Sequence, residues 1–290
     1  MNLIKEKRVH SYDFLRGLAI IAVIATHVVQ SFPSGINLID TAFQFGRYGV
    51  QLFYFVSALT MCYMWKFREG EESPIKKFYI RRVLRIAPLF WLAIPVYLLI
   101  NGFQPSYFAP NGIGPRQVLL TITFLHGFWP DSINSVVPGG WSIAVEMTFY
   151  LLFPILILII KERSHIYLFL AFAIYALYTF FLRDILGYYL IQIYQANNPA
   201  FIHDFLFLNF MNQVPIFLIG CCLFFSSINQ LKHYSLFFLL WLLVSWAAKV
   251  YFNEEGFGFV LMYMFIAILT LIIVKVNCSS LLLEKLGKFE

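Results

Sequence analysis

The chain has 290 residues, of which 60% are hydrophobic and only 12% are charged, and its mean hydropathy is +0.75. A water-soluble domain carries roughly 25% charged residues, so this composition excludes an ordinary soluble protein and predicts an integral membrane protein. The net charge of +6 comes from clustered basic residues, which in a membrane protein set topology, and nucleic-acid binding is therefore not expected. The four cysteines show no zinc or disulfide spacing, so no metal is expected.

Eight apolar stretches predict membrane-spanning helices of about 20 residues each. Spans 1 to 8 are placed at Phe14–Phe32, Tyr48–Trp65, Ile86–Ile100, Trp141–Ile160, Ile166–Leu182, Phe205–Phe225, Ser235–Tyr251 and Gly258–Val274. The cytoplasmic side is marked by basic residues, at Lys5, Lys7 and Arg8 and throughout Lys66–Arg85, and the outer side by acidic Glu254 and Glu255. We therefore predict an all-α, multi-pass helix bundle in the inner (plasma) membrane, forming a single domain over residues 1–290 with a cytoplasmic N-terminus.

The segments between spans are interpreted from length and composition. Asn101–Arg116 is rich in Gly, Pro and Asn and is predicted to be an external loop, whereas Val118–Trp129 is too short to cross and is predicted to be an external or interfacial helix. Arg183–Asp204 is predicted to be an external, partly aromatic segment. Pro215 predicts a kink in span 6, because it removes one helical hydrogen bond.

Polar residues inside span 1 form the first candidate site. At 100° per residue, Asp13, Arg16, His27 and Gln30 share one stripe of the helix, which we expect to face the bundle interior. An ionisable group inside a span costs about 2.5–3.5 kcal/mol on insertion scales, so such groups are functional candidates. His27 could accept a proton from a hydroxyl group, or it could be a structural histidine bonded between helices.

Arg82 and Arg85 form a second candidate, because they share a helix face at the predicted cytoplasmic end of span 3. Guanidinium groups bind phosphates in a bidentate way, although topology marking or contact with anionic lipid would also explain the pair.

The third candidate lies on span 4, where Ser142, Glu146 and Tyr150 recur on one face toward the predicted outer side. Glu146 could orient a histidine or carry a proton, or it could be a structural partner of Arg47 or Arg116. Two weaker candidates lie on the short external helix: His126 and Trp129 could line a groove for a second substrate or simply pack.

These three sets together resemble the acyltransferase-3 family of membrane acyltransferases. The segment from Asp13 to His27 resembles the family's opening motif, and Gly49–Leu59 resembles its second-span motif, with Ala58 where a glycine is usual. Arg82-Val-Leu-Arg85 resembles its R-x-x-R motif, and Trp141–Tyr150 resembles its S-L-x-x-E-x-x-x-Y motif.

The resemblance implies transfer of an acyl group, most often acetyl, from cytoplasmic acetyl-CoA to a hydroxyl of an O-antigen or another surface polysaccharide at the outer side. It implies that Arg82 and Arg85 hold the donor phosphates, that Arg16 contacts the donor arm, and that no cofactor stays bound. His27 is then the general base or the acyl carrier, and Glu146 orients His27 or the acceptor. Supporting roles are expected for Asp13, Trp141, Ser142 and Tyr150.

Two alternatives remain open from the sequence. A flippase or transporter of lipid-linked saccharides also needs polar groups inside a bundle. Residues 283–290 resemble the start of the family's late motif, which normally leads into further helices of a ten-span bundle. The sequence therefore also permits a C-terminally truncated and inactive scaffold.

Overall fold

A computed structural model describes residues 9–194, 199–252, 257–276, 278 and 280–288. Within these ranges the fold is helical and contains no strand. The topology markers Lys5, Lys7, Arg8, Glu254 and Glu255 lie outside the described residues. The α-helices are α1 His10–Ser31, α2 Asn37–Gln44, α3 Gly49–Arg68, α4 Pro74–Asn101, α5 Pro115–Ile122, α6 Gly140–Ile160, α7 Ser164–Leu177, α8 Arg183–Ile193, α9 Ala200–Leu208, α10 Phe210–Phe225, α11 Ile228–Phe252, α12 Phe257–Val276 and α13 Leu281–Lys288.

Each predicted span coincides with a helix or with a pair of consecutive helices, which confirms the all-α, multi-pass membrane bundle. Among the described residues, five helical stretches are long and apolar enough to cross a membrane, or six if the bent pair formed by α12 and α13 counts as one. The loop after Asn101 is confirmed as irregular, and α5 is confirmed as a short helix followed by a 3₁₀ turn at Leu125–Phe128.

Spans 5 and 6 differ from their predictions. The helix of span 5 does not end at Leu182, because α7 continues through a π-helical turn at Tyr178–Leu182 into α8. The segment predicted to follow span 5 from Arg183 therefore begins as a helix, α8, that is continuous with that span. In span 6 the helix is interrupted at Asn209, between α9 and α10, whereas Pro215, where a kink is predicted, lies inside α10.

Side-chain hydrogen bonds hold the interruption at Asn209. Asn209 is buried, its Nδ2 donates to the Tyr178 hydroxyl at 2.6 Å, and its Oδ1 accepts from the Met211 backbone N–H at 2.9 Å. The Tyr178 hydroxyl donates to the Leu206 carbonyl at 2.6 Å. The π turn and the helix break therefore satisfy each other's polar groups, as an apolar environment requires.

The chain divides into two compact units, which are described separately. Unit 1 comprises Met1–Arg68, Arg163–Leu168 and Ile216–Glu290, and unit 2 comprises Glu69–Glu162 and Phe169–Pro215. The single-domain interpretation remains a prediction.

In unit 1 the short helix α13 packs very closely on the first half of α1. A β-carbon at Gly17 would overlap the carbonyl oxygen of Leu283, and a β-carbon at Gly287 would overlap the carbonyl oxygen of Asp13. The imidazole Nδ1 of His10 lies 2.7 Å from a carboxylate oxygen of Glu284 at the same crossing. Two glycines and one polar pair therefore fix α13 against the part of α1 that carries Asp13.

Replacing Gly17 with alanine is expected to destabilise the protein, because the added methyl group meets backbone atoms of Leu283 that cannot rotate away. Overpacking typically costs about 1–3 kcal/mol, so the temperature at which the detergent-solubilised protein loses its monodisperse peak is expected to fall by several degrees. Gly258→Ala is the matched control, since a β-carbon there meets nothing within 4 Å. Equal melting temperatures for the two variants would contradict the close packing.

Unit 2 is built on the contact between α4 and α6. Phe78 stacks on Phe153 with ring centroids 5.4 Å apart, and Phe90, Ile94, Val136 and Val137 form a second apolar cluster. A third cluster joins Ile133 to the buried face of α9, with Trp141 packed against it. These three contacts fix the position of α6, which carries Ser142, Glu146 and Tyr150.

Candidate active site

In unit 1, the polar residues at the beginning of α1 form a buried cluster with α3. Asp13 and Arg16 are 5% and 8% exposed, and their side chains approach to 3.4 Å. Arg16 Nη2 donates to the hydroxyl of Thr60 at 2.7 Å, and Thr60 donates onward to the Val56 carbonyl. We call Asp13, Arg16 and Thr60 the Asp13 cluster. The buried guanidinium is thus balanced by a carboxylate and a hydroxyl, as burial of a charge demands.

The predicted interior stripe of α1 is correct only for its first half. His27 and Gln30 are exposed, so the prediction that they face the bundle interior is wrong. The C-terminal half of α1 packs through a different face, which includes buried Thr26 and Val29. The hydroxyl of Thr26 donates to the Phe43 carbonyl at 2.8 Å.

The face of α1 that contains Thr26 packs closely because two glycines, Gly46 and Gly49, lie against it. A β-carbon at Gly46 would overlap the Ala22 carbonyl oxygen, and one at Gly49 would lie 2.7 Å from the Ala19 carbonyl oxygen. Because Ala19, Ala22 and Thr26 follow each other at helical spacing, this contact sets the rotation of α1. The side chain of His27 is left exposed.

In unit 2, the structure brings two of the sequence motifs together. The guanidinium carbon of Arg82 lies 5.4 Å from the ring centroid of Tyr150 and 5.6 Å from that of Phe78. The Tyr150 hydroxyl donates a short hydrogen bond to a carboxylate oxygen of Glu146. We call Phe78, Arg82, Glu146 and Tyr150 the Arg82 cluster. A cation, an aromatic ring and a carboxylate are thereby linked in series across α4 and α6.

The Arg82 cluster corrects the predicted separation of Arg82 from Glu146. The sequence placed the arginine at the cytoplasmic end of span 3 and the carboxylate toward the outer side, but a single side chain, Tyr150, connects them. The reason is the length of α4, which begins at Pro74, so that Arg82 lies about 12 Å along its axis at 1.5 Å per residue.

The remaining predicted residues of these two motifs lie around the Arg82 cluster. Arg85 is exposed on α4, one turn beyond half-buried Arg82. Trp141 packs against the apolar cluster of Ile133, and the Ser142 hydroxyl donates to the Gly139 carbonyl at 2.9 Å. Of the predicted set, Arg85 is therefore the guanidinium most open to a ligand.

His126 and Trp129, the two weaker candidates, differ in their burial. The His126 ring is buried, stacks on Phe90, and its Nε2 lies 3.0 Å from the Gly140 carbonyl oxygen. Burial lowers the pKa of His126, and contacts with the Gly140 and Leu120 carbonyls only partly oppose that shift. A neutral imidazole here supports the first turn of α6. Trp129, in contrast, is 44% exposed.

Ala58 lies where the second-span motif usually has a glycine, and the residue that faces it is itself a glycine. Gly220 of α10 faces it, and a β-carbon at Gly220 would lie 2.9 Å from the Ala58 β-carbon. Nearby, Tyr54 stacks on Phe217 with ring centroids 4.6 Å apart. The missing glycine of α3 is thus compensated by a glycine on the helix that packs against it.

Two members of these clusters were absent from the sequence-based candidates. Phe78 lies four residues before Arg82, and that helical spacing could have identified it. Thr60 carries no such signal, because its role depends on how α3 is rotated against α1. Among the described residues, no group of three metal-ligating side chains is positioned to hold a metal ion.

Comparison with known proteins agrees with the motif resemblance. The model of a family described as "Acyltransferase domain" matches residues 9–289, and no solved structure matches the chain.

Among curated proteins, the chain is similar to a peptidoglycan O-acetyltransferase of Listeria monocytogenes, with 27% identity over 53% of this chain and 25% of that protein. It is also similar to an O-acetyltransferase of Staphylococcus aureus strain NCTC 8325, with 26% identity over 52% of this chain and 25% of that protein. A putative O-acetyltransferase of Staphylococcus aureus strain COL shares 25% identity over 56% of this chain and 27% of that protein. The matched part therefore spans about a quarter of the length of these relatives.

Proposed function

The chain belongs to the acyltransferase domain family, and we propose that it transfers an acetyl group from acetyl-CoA to a hydroxyl of a surface polysaccharide or of its lipid-linked precursor. The structural observation that carries the proposal is the Arg82 cluster, in which residues of two family-like motifs touch each other. The names of the relatives, which are O-acetyltransferases, support acetyl as the group transferred. The donor and the outward side of transfer rest on motif resemblance and on the predicted topology.

The proposed reaction is acyl transfer with proton exchange at His27. The imidazole removes the proton of the acceptor hydroxyl, and the resulting oxygen attacks the thioester carbonyl carbon. The carbon–sulfur bond breaks, and the departing thiolate takes the proton from His27. In the second order, the imidazole attacks the thioester carbonyl, the carbon–sulfur bond breaks, and the thiolate leaves with the imidazole proton. The acceptor hydroxyl then attacks the acetyl-imidazole, the carbon–nitrogen bond breaks, and the hydroxyl proton returns to the imidazole.

The direct test is to restore the activity in cells. The gene for this protein is deleted, and the wild-type protein is then expressed in the deletion strain. This expression is expected to restore acetyl groups on the envelope glycan, measured as the acetate that mild base releases from the purified glycan. Glycan export is expected to be unchanged in the deletion strain, whereas a flippase would lose export. A wild-type protein that restores export but no glycan acetate would overturn the proposed function.

We propose that Arg85 contacts the phosphates of the donor, whereas Arg82 holds Tyr150 and Glu146 in place. Replacing Arg85 with glutamine is expected to raise KM for acetyl-CoA by about 10-fold or more, because a hydrogen bond to a charged group contributes about 1.5–3 kcal/mol. The measurement is thiol release by the protein in nanodiscs, which leave both faces open. Lys76→Gln is the matched control, since Lys76 is an exposed cation on the same helix. If Arg85→Gln and Lys76→Gln have similar KM values for acetyl-CoA, Arg85 helps to set the membrane topology and does not bind the donor.

A further inference from the structure

Unit 2 carries a rigid aromatic and polar surface that the proposed chemistry does not use. It lies at the loop between α5 and α6, and its central residue is Trp129. The guanidinium of Arg116 covers one side of the Trp129 indole, with its carbon 4.8 Å from the ring centroid. Because 44% of Trp129 is still exposed, the ring presents an open apolar surface next to a cation.

A carboxylate holds this surface together. Asp131 accepts from Arg116 at 2.6 Å, from Gln117 at 3.2 Å and from the Tyr194 hydroxyl at 3.3 Å. The backbone is fixed as well, since the Trp129 carbonyl accepts from the N–H groups of Ser132 and Ile133. The guanidinium that lies over the indole and the backbone of Trp129 are therefore both fixed by hydrogen bonds within the protein, and a binding site benefits from such preorganisation.

A second exposed aromatic residue lies in the same unit. The Tyr107 hydroxyl donates to Asp204 at 2.7 Å, and Tyr107 is 47% exposed. Burial of the hydroxyl, with the bond to Asp204 and the charge of that carboxylate, raises the pKa of Tyr107 to about 12. It remains a neutral phenol at physiological pH.

The apolar cluster that joins Ile133 to α9 contacts a neighbour of each exposed aromatic residue. Phe108, next to Tyr107, packs against that cluster, as does Tyr194. Trp141, the first residue of the motif that contains Ser142 and Glu146, packs against it too. This cluster therefore contacts the first turn of α6 through Trp141. We call Tyr107, Arg116, Trp129, Asp131 and Asp204 the Trp129 surface.

We propose that the Trp129 surface binds a segment of the saccharide acceptor, with one sugar ring against the open face of the indole and its hydroxyl groups bonded to the neighbouring charged side chains. This inference rests on the proposed function. Sugar rings expose C–H groups on one face and hydroxyls at the edge, and they therefore match an aromatic face rimmed by carboxylates and a guanidinium. An aromatic belt at the membrane interface needs only ring and indole N–H contact, and it does not account for the Asp131 network.

The test measures saccharide binding without turnover. Oligosaccharides released from the strain's own envelope, by muramidase digestion and by mild acid, are mixed with the full-length protein in nanodiscs, and saturation-transfer NMR reports which sugar protons contact the protein. Wild type and Trp129→Phe are expected to give similar saturation-transfer signals from the sugar protons. In Trp129→Ala these signals are expected to be at least about fivefold weaker. Tyr188→Ala is the matched control, because Tyr188 is 62% exposed in the same unit but lies outside the Trp129 surface.

Kinetics supply a second readout. In Trp129→Ala, KM for the oligosaccharide acceptor is expected to rise at least about fivefold, with KM for acetyl-CoA and the amount of protein in the membrane unchanged. Saccharide binding that survives in Trp129→Ala, or that is absent from wild type with both preparations, overturns the inference. Equal losses of membrane-inserted protein in Trp129→Ala and Tyr188→Ala would instead identify an interfacial anchor. A wild type that binds saccharide but transfers no acetate overturns the proposed function alone.

Discussion

Replacing His27 with alanine is expected to lower acetylation of the surface glycan by about 10²- to 10⁴-fold, the usual contribution of a positioned general base. The side chain is exposed, and the packing of the C-terminal half of α1 uses Thr26 and the glycines Gly46 and Gly49 instead. The substitution is therefore expected to leave folding intact. Acetate released from the glycan by mild base, normalised to the amount of protein in the membrane, measures the effect.

Two controls separate chemistry from structure in this experiment. His203→Ala removes another exposed histidine and is expected to leave acetylation near the wild-type level. Added imidazole is expected to restore part of the activity of His27→Ala if the residue acts as a base. Labelled acetate that remains on denatured wild-type protein, but not on His27→Ala, would indicate the acyl-imidazole route. Glycan acetylation above about one tenth of wild type in His27→Ala would remove His27 from the proposed mechanism.

Replacing Glu146 with glutamine is expected to lower kcat by about 100-fold. The Tyr150 hydroxyl donates to this carboxylate, and the Tyr150 ring contacts the Arg82 guanidinium. An amide has about the same size, but it removes the negative charge and weakens the hydrogen bond. If Glu146 orients the acceptor or the base, the loss will fall on kcat rather than on KM for acetyl-CoA.

A double-mutant cycle tests whether Tyr150 acts through Glu146. Tyr150→Phe alone is expected to lower kcat by about 10-fold, and the double variant is expected to be no slower than Glu146→Gln, because residues acting as one unit are not additive. Thr148→Ala is the matched control, since its hydroxyl also bonds within α6, to the Ala144 carbonyl. If the loss of kcat in the double variant equals the product of the losses in the two single variants, the hydrogen bond between Tyr150 and Glu146 has no role in the reaction.

The sequence predicted the helices well, because long apolar runs report directly on membrane-spanning segments. It did not predict where the helix of span 6 breaks. Pro215 gave a local signal, whereas the observed break at Asn209 depends on a hydrogen bond to Tyr178, which comes from a different span. Partners that are distant along the chain leave no periodic pattern.

The candidate residues were found from the sequence, but their grouping was only partly predictable. Helical periodicity correctly placed Asp13 and Arg16 on one buried face, yet it failed for His27 because close contacts at Gly46 and Gly49 decide which face of α1 packs. The link from Arg82 to Glu146 was missed because it depends on how far α4 extends before its arginines.

The crossing of α1 and α13 has a consequence for biosynthesis. His10 and Glu284, which meet there, are 274 positions apart in the chain. At about 5–20 residues per second, α1 waits for about 15–55 s after its own translation before the ribosome has made its partner. During that interval the carboxylate of Asp13, three residues from Arg16 on the same helix, is already available to its guanidinium, and the hydroxyl of Thr60 becomes available once α3 is made. We therefore expect Asp13 to act as a counter-ion while the charged first helix enters the bilayer.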